Sequence, residues 1–353
     1  MFLKSILKTI YYGFPKFINT GYVLPCRNYT IEITYRCNLN CNMCSFLQEI
    51  YKKQSEIQSR EELSTAEWLN ILKQFPYKSN VAFTGGEPFV KKEFITLLEF
   101  AAKRFNIVIG TNGYLITEMI AKKLIDLKIN AVGISIDGDE KTHNKIRNNN
   151  LSFEKAINAI KMLANLKKEL GGSYPIINVN SVILEENVSV LDMIPDIVKS
   201  AGCDSLSFQL LDPSFERSAL RLKNKIDLSI SPLNDLPRID IKLLKEKLIK
   251  ILNKTQELNL LFTFSPNIKL DDVLNYYNYS FNTKNYYCDM LYTSTRISPY
   301  GDIYPCLNFK IGNLKESPLY KLINNNSYRR FRKLFCNKVY PVCIGCCKME
   351  MIK

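Results

Sequence analysis

Between Asn28 and Leu211, short β-branched runs alternate with longer stretches whose apolar residues recur at helical spacing, and this alternation constrains the fold more than any other feature. The runs Tyr29–Tyr35, Val81–Thr84, Ile107–Thr111, Ala131–Ile136, Ile176–Ile183 and Leu206–Leu210 read as strands. Between them Ser64–Phe75, Glu93–Phe105, Thr117–Leu127, Ser152–Leu170 and Val188–Ala201 read as helices. The first opens on Ser64 with Glu67 three residues on, a capping-box pair. A crossover helix between successive strands is what a parallel sheet requires. Right-handed connections curl such a sheet into a full or partial barrel, with ligand chemistry at the C-terminal ends of the strands.

After Leu211 the pattern loosens. Ile239–Leu258 reads as one long helix, Leu261–Phe264 as a further strand and Tyr276–Tyr287 as a Tyr/Asn-rich linker. Short helical stretches are expected near Pro318–Asn324 and Tyr328–Phe335. At the front, Phe2, Leu3, Ile6, Leu7 and Ile10 share one helical face with Lys4 and Lys8 away from it. Such a helix suits either packing across the barrel's open side or a peripheral membrane contact. No uncharged apolar stretch reaches the roughly 18 residues of a membrane span, and Lys4, Lys8 and Lys16 interrupt any secretory signal. The expected location is cytoplasmic. The expected class is α/β, a partial (β/α)6 TIM-like barrel at 29–265, preceded by an amphipathic extension at 1–28 and followed by a small cysteine-rich domain at 266–353.

Of the 353 residues, 48 are Lys or Arg and 34 Asp or Glu, a surplus of 14 positive charges. That favours anionic partners in general, but the basic residues are dispersed and no long run marks a nucleic-acid site. Nucleic acid is the disfavoured partner. Apolar residues at 46% and charged residues at 23% are ordinary for a globular protein, which excludes disorder.

The cysteines narrow the chemistry. Eleven are present, an odd number, and most fall in two tight groups. With no export signal, such groups are metal ligands or redox centres rather than a disulfide framework. A single histidine, His143, leaves no room for a His-rich metal site or a Ser–His–Asp triad.

Directly after the first strand comes Cys37-Asn-Leu-Asn-Cys41-Asn-Met-Cys44. Three thiolates within so short a loop converge only around a metal centre, and three protein ligands leave one corner of an iron–sulfur cubane open. Zinc is the alternative, but no fourth ligand or histidine lies close by. Thr84-Gly85-Gly86-Glu87-Pro88 ends the second strand, Thr111-Asn112-Gly113 the third and Ser135-Ile136-Asp137-Gly138 the fourth, with His143 and Arg147 following. Two glycines permit close backbone approach to a ligand, Glu87 can accept from an ammonium group, and Arg147 suits a carboxylate clamp.

In that order, each at its own strand end, these segments resemble the radical S-adenosylmethionine (radical SAM) superfamily from about Thr30 to Gln209. The resemblance implies that Cys37, Cys41 and Cys44 hold a 4Fe-4S cluster whose open iron chelates S-adenosylmethionine. It further implies that the Gly85-Gly86-Glu87-Pro88 segment binds the methionine amino group, and that Thr111 lies near the cofactor. Ser135, Asp137 and Arg147 are then cofactor-binding residues, Ser135 and Arg147 at its carboxylate or ribose, and Met43 packs on adenine. One-electron reduction of the cluster would cleave the sulfonium and release a 5′-deoxyadenosyl radical that takes hydrogen from an unactivated carbon. The electron would come from a donor such as flavodoxin or ferredoxin. His143 reads as part of the turn before Arg147 rather than as a catalytic acid.

In the tail, Cys288 is followed by Gly301, Cys306, Ile311-Gly-Asn-Leu314 and Pro341-Val-Cys343-Ile-Gly-Cys346-Cys347. This resembles the SPASM/twitch extension of many radical SAM enzymes, with a hairpin over Ser298–Cys306. It lacks the CX2CX5CX3C segment of a full two-cluster module. One auxiliary 4Fe-4S cluster on Cys288, Cys306, Cys343 and Cys346 is therefore expected, with a structural zinc on the same thiolates as the alternative. Cys336 and Cys347 are weaker ligands, and Cys26 and Cys203 read as small buried hydrophobes.

The substrate is not legible. The resemblance implies a SPASM-type maturase or biosynthetic oxidoreductase acting on a peptide, a protein or a small metabolite. The stretch before strand one is too short for an N-terminal peptide-binding domain, which lowers the peptide reading without removing it. The alternatives are a carbohydrate or natural-product dehydrogenase or epimerase and, in another class, an inactive basic scaffold that binds nucleic acid.

Overall fold

The computed structural model of the chain describes residues 20–44, 60–212, 227–306, 309–335 and 339–352. The amphipathic face expected over Phe2–Ile10 lies outside them, as does Cys336.

All six expected strands form: β1 (Asn28–Thr34), β2 (Asn80–Gly85), β3 (Asn106–Thr111), β4 (Ala131–Ser135), β5 (Ile176–Val182) and β6 (Ser205–Gln209). They pair in chain order and in parallel. The stretch at Leu261 becomes β7 (Leu261–Ser265), parallel to β6. The intervening helices are α1 (Thr65–Leu72), α2 (Phe94–Ala102), α3 (Glu118–Asp126), α4 (Glu140–Arg147), α5 (Ser152–Glu169), α6 (Ile194–Ser200) and α7 (Ile241–Glu257). The capping box of α1 is made as expected: Ser64 N–H donates to Glu67 Oε2 at 2.8 Å and Glu67 N–H to Ser64 Oγ at 3.3 Å.

Strand alternation explains the two faces of this sheet. Tyr29, Ile31, Ile33, Phe83, Ile109 and Val179 are buried in the apolar core. The opposite face carries Thr30, Thr84, Val108, Asn178, Asn180, Ser207 and Gln209, all half-buried or exposed. Parallel sheets ordinarily bury both faces in apolar contacts. A polar inner wall suits a ligand-bearing cavity instead.

Three expectations change. Val188–Ala201 is not one helix but a 3-10 turn over Val188–Met193 followed by α6, whose first turn holds Pro195. Proline lacks the N–H needed to continue the preceding turn and favours a helix start. The helix α4 was not anticipated because its sequence is almost wholly polar; the Asp139 side chain, accepting from Thr142 N–H at 2.9 Å, starts it. The supposed linker at Tyr276–Tyr287 begins inside α8 (Leu270–Tyr277). Tyr276 and Tyr277 are buried there, their hydroxyls donating to the carbonyls of Leu211 at 2.6 Å and Ile183 at 2.8 Å. Tyrosine supplies apolar bulk with a polar tip, so a Tyr-rich segment can pack where its composition suggests a loop.

The C-terminal region comprises β8 (Tyr286–Tyr287), α9 (Met290–Thr293), β9 (Ser294–Ile297), β10 (Asp302–Tyr304), β11 (Gly312–Asn313), α10 (Leu319–Leu322), α11 (Asn326–Phe335) and β12 (Glu350–Met351). The hairpin expected over Ser298–Cys306 starts earlier, as β9–β10 with its turn at Ser298–Gly301, and β9 pairs in parallel with the free edge of β1, from Asn28 opposite Ser294 to Ile31 opposite Ile297. The result is one ten-stranded sheet in the order β11-β10-β9-β1-β2-β3-β4-β5-β6-β7. The tail thus completes the barrel's edge strand as well as forming a module of its own. Among the described residues no helix is long and apolar enough to cross a membrane.

Candidate active site

The cysteine loop leaves the end of β1 and docks on the last turn of α4. Asn42 N–H donates to Ile146 O at 2.9 Å and Asn42 Nδ2 to Lys145 O at 3.1 Å. Within the loop Cys44 N–H donates to Cys41 O at 3.2 Å, and Leu39 N–H to the Cys37 sulfur at 3.5 Å. Asn112, after β3, reaches back to Asn38 Oδ1 at 3.0 Å. Cys41 is buried, and Cys37 and Cys44 are half-buried. Burial pushes the Cys37 thiol up to about 11, and the charges of Glu87, Cys41 and Cys44 add to the rise. Burial likewise raises Cys41, while Arg147 opposes it. Such thiols hold their protons until a cation replaces them, so metal loading here releases protons.

The two glycines at the end of β2 make room for the chain's own backbone. A Cβ on Gly85, whose φ is +141°, would stand 2.2 Å from Thr34 O, and one on Gly86 would stand 2.3 Å from Arg36 O. Gly86 N–H donates to Thr34 O at 2.8 Å and Glu87 N–H to Arg36 O at 2.9 Å. The close approach seen is toward Thr34 and Arg36, at and just past the end of β1, and it ties Glu87 to the segment that launches the cysteine loop. Pro88 is buried at the start of a 3-10 turn over Pro88–Val90.

The Glu87 side chain is buried and held from three sides. Its Oε1 accepts from Thr111 Oγ1 at 2.8 Å and Phe89 N–H at 3.2 Å, and its Oε2 from Asn112 N–H at 2.7 Å. Burial raises its pKa despite these donors. A buried carboxylate short of a full countercharge is prepared for a cationic ligand. Thr111 therefore acts on Glu87; its hydroxyl also accepts from Gly113 N–H at 3.0 Å.

At the end of β4, Asp137 is fully buried with both oxygens engaged. Oδ2 takes Arg147 Nε at 2.7 Å and Nη2 at 2.6 Å, and Oδ1 takes Val182 N–H at 3.0 Å. The third guanidinium nitrogen, Nη1, stands 3.8 Å from the Cys41 sulfur. The structure thus uses Asp137 to aim Arg147 at the cysteine loop. His143 Nδ1 accepts from Asp137 N–H at 3.1 Å, and burial pushes its pKa down to about 4. It is a neutral acceptor inside α4 that ties this helix to the end of β4, whereas its reading from sequence places it in a turn. Ser135 is half-buried at the rim of β4, and Met43 packs partly buried against the core.

The four tail cysteines that the resemblance implies as ligands come together. Cys288, Cys306, Cys343 and Cys346 line one cavity whose remaining walls are apolar, Leu291 and Phe335 among them. The β8–β12 pair, Tyr286 opposite Met351 and Tyr287 opposite Glu350, brings the segments around Cys288 and Cys346 together. Cys306 follows β10, and Cys346 N–H donates to Cys343 O at 3.0 Å. Cys347 is exposed and borders a different cavity. Cys26 and Cys203 are buried, as expected. Among the described residues no three Cys, His, Asp or Glu side chains meet at single-ion distance. Three thiols beside a buried carboxylate, and four thiols around one apolar cavity, are donor sets that suit an open and a closed iron–sulfur cluster.

Two features carried no sequence signal. Tyr300, in the β9–β10 turn, packs with Tyr35 against Cys37 and Cys44, so the tail walls the cysteine loop. On the inner face, Arg296 of β9 pairs with the buried Glu32 of β1 at 2.8 Å, and Tyr35 donates to the same carboxylate at 2.9 Å. Both depend on β9 adding to β1, which local spacing does not encode.

Comparison with known proteins agrees with this geometry. The model of the radical SAM superfamily matches residues 31–194, and that of the SPASM iron-sulfur cluster-binding domain matches residues 288–347. A tungsten-containing aldehyde ferredoxin oxidoreductase cofactor-modifying protein of Pyrococcus furiosus is 26% identical over 340 residues, 90% of this chain and 86% of that protein. The sporulation killing factor maturation protein SkfB of Bacillus subtilis is 28% identical over 176 residues, 49% of this chain and 39% of its own length. Among solved structures, Streptococcus suis SuiB bound to precursor peptide SuiA superposes with a TM-score of 0.63 at 18% identity, covering 91% of this chain and 69% of that one.

Proposed function

Because the chain belongs to the radical SAM superfamily and carries a SPASM domain, we propose that it is a maturase that removes hydrogen from an unactivated C–H bond of a peptide or small metabolite. Its cofactors are a 4Fe-4S cluster, S-adenosylmethionine and the auxiliary iron–sulfur centre of the SPASM domain. When bound, the first two together supply a 5′-deoxyadenosyl radical on reduction.

The observation that carries the reading is Glu87, a buried carboxylate tied through its own backbone to the strand that launches Cys37, Cys41 and Cys44. Cys37, Cys41 and Cys44 would hold three irons. Glu87 would accept from the methionine ammonium, and Thr111 and Asn112 keep its oxygens turned for that purpose. Arg147, steadied by Asp137, offsets negative charge at Cys41. Ser135 at the β4 rim would meet the cofactor's carboxylate or ribose, and Met43 its adenine. Cys288, Cys306, Cys343 and Cys346 would hold one auxiliary cluster.

The inner wall bears on the substrate. Asn178, Asn180, Ser207 and Gln209 form an uncharged hydrogen-bonding surface, with Ser207 Oγ donating to Asn178 Oδ1 at 3.3 Å and Asn178 Nδ2 to Asn180 Oδ1 at 2.9 Å. This favours a neutral, polar reacting group such as a peptide main chain. The names of SkfB and of the peptide-bound SuiB structure support peptide maturation. The name of the Pyrococcus relative, which matches along nearly the whole chain, supports a small-molecule substrate as the second reading.

The test is anaerobic reconstitution with iron and sulfide, reduction, and measurement of 5′-deoxyadenosine formed from S-adenosylmethionine. The native chain is expected to form it. The Cys41→Ala variant is expected to lose that activity while retaining the iron of the SPASM domain. Undiminished deoxyadenosine from Cys41→Ala would overturn the proposal.

A further inference from the structure

Arg332 lies in the last turn of α11 with none of its side chain exposed. Among the described residues its partners are all neutral. Nε donates to Leu291 O at 2.8 Å, Nη1 to Gly21 O at 2.9 Å and to Asn324 Oδ1 at 3.3 Å, and the guanidinium sits 3.5 Å over the Tyr328 ring. Nη2 has no partner, and no carboxylate pairs with Arg332 among the described residues. A charge wholly removed from water is costly unless an opposite charge answers it. Carbonyl dipoles and an aromatic face answer only part of it.

The side chain stands one layer behind the four-thiol cavity. Leu291, which takes the Arg332 Nε bond, lines that cavity, and so does Phe335, one turn further along α11. Tyr328 shares this contact: its ring supports the guanidinium, its hydroxyl donates to the same Leu291 O at 3.2 Å, and Cys306 is among the charges that raise its pKa. With its thiols protonated the cavity offers Arg332 no negative charge. With four thiolates around a four-iron core it does, because their charge outweighs that of the core.

We propose that Arg332 is the countercharge of the auxiliary cluster held by Cys288, Cys306, Cys343 and Cys346, and that it raises the reduction potential of that cluster. The proposal rests on the four-thiol reading above. Reduction adds an electron to an already anionic centre, and a fixed cation nearby, poorly screened in a dry site, favours the reduced state. Arg332 is a positioning residue: it acts on the cluster through charge without ligating it.

The test uses the full chain with Cys37, Cys41 and Cys44 all changed to Ala, so that only the auxiliary centre reports. Its potential is read by redox titration with electron paramagnetic resonance. Arg332→Met is expected to lower the ratio of reduced to oxidised cluster at a fixed potential by about tenfold, which is about 59 mV for a one-electron couple. Arg332→Lys is expected to retain most of the native potential, and Arg332→Gln is the second neutral variant should Met disturb the packing. An unchanged potential in the neutral variants, or an equal fall in Arg332→Lys, would overturn the inference. A second reading is the rise in melting temperature on loading with iron and sulfide, expected to be smaller in Arg332→Met; an equal rise counts against the countercharge role. If the triple-Ala protein itself forms no iron–sulfur centre, the four-thiol reading fails, and this inference with it.

Discussion

The ring of Tyr300 meets the ring of Tyr35 edge-on, centroids 5.5 Å apart and planes at 77°. Tyr35 follows the first strand and leads into the cysteine loop, whereas Tyr300 belongs to the hairpin of the tail. Arg60 fixes the second ring, lying 4.3 Å over it while pairing with Asp302 at 2.8 Å. The SPASM region therefore helps to build the wall against which Cys37 and Cys44 pack.

Tyr300→Ala should expose that wall. The variant is expected to lose its iron–sulfur absorbance in air several-fold faster than the native protein, and about 3 kcal/mol of stability to urea. Tyr300→Phe, which keeps the ring, should behave as native. Equal bleaching rates for the Ala and native proteins would show that the ring does not cover the loop.

The Asp137–Arg147 pair should behave as a unit. Asp137→Ala leaves a buried guanidinium without its carboxylate and is expected to cost about 3–5 kcal/mol in urea unfolding of the metal-free protein. Adding Arg147→Met removes the orphaned charge and should recover much of that loss. Strict additivity of the two changes in a double-mutant cycle would mean that they do not act as a pair.

His143 makes the fold acid-sensitive. Burial holds its imidazole neutral and lowers its pKa from 6.5 to about 4. Because the folded value is the lower one, the stabilisation is complete above pH 6.5 and is lost as pH falls toward 4, an effect of about 3 kcal/mol. His143→Gln cannot take up that proton. Its urea midpoint should fall less steeply than the native one between pH 7 and 4, and parallel curves would remove His143 as the cause.

The barrel strands were legible because alternation of residues such as Tyr29, Ile31 and Ile33 is a local signal of one buried face. The Cys37–Cys44 spacing was legible for a similar reason, since nearby thiols on one loop have few other uses. Helix α4 was not, because its polar sequence carries no apolar stripe and its start depends on the Asp139 cap. Nor was the contact of Gly86, whose missing side chain admits the Arg36 carbonyl from the segment just past β1.

Sequence alone determined the parallel sheet and the three-thiol loop, because periodicity and short spacing along the chain are local signals. The four tail cysteines were implied by resemblance, and the tertiary structure brought them around one cavity. Tertiary structure decided that β9 joins the edge of β1, that Tyr300 walls the cysteine loop, and that Asp137 holds Arg147 toward Cys41. It also decided that Arg332 is buried against Leu291 of the four-thiol cavity, with no carboxylate paired to it among the described residues. Those relations join residues far apart in the chain through backbone pairing and desolvation, quantities that exist only once the sheet has formed.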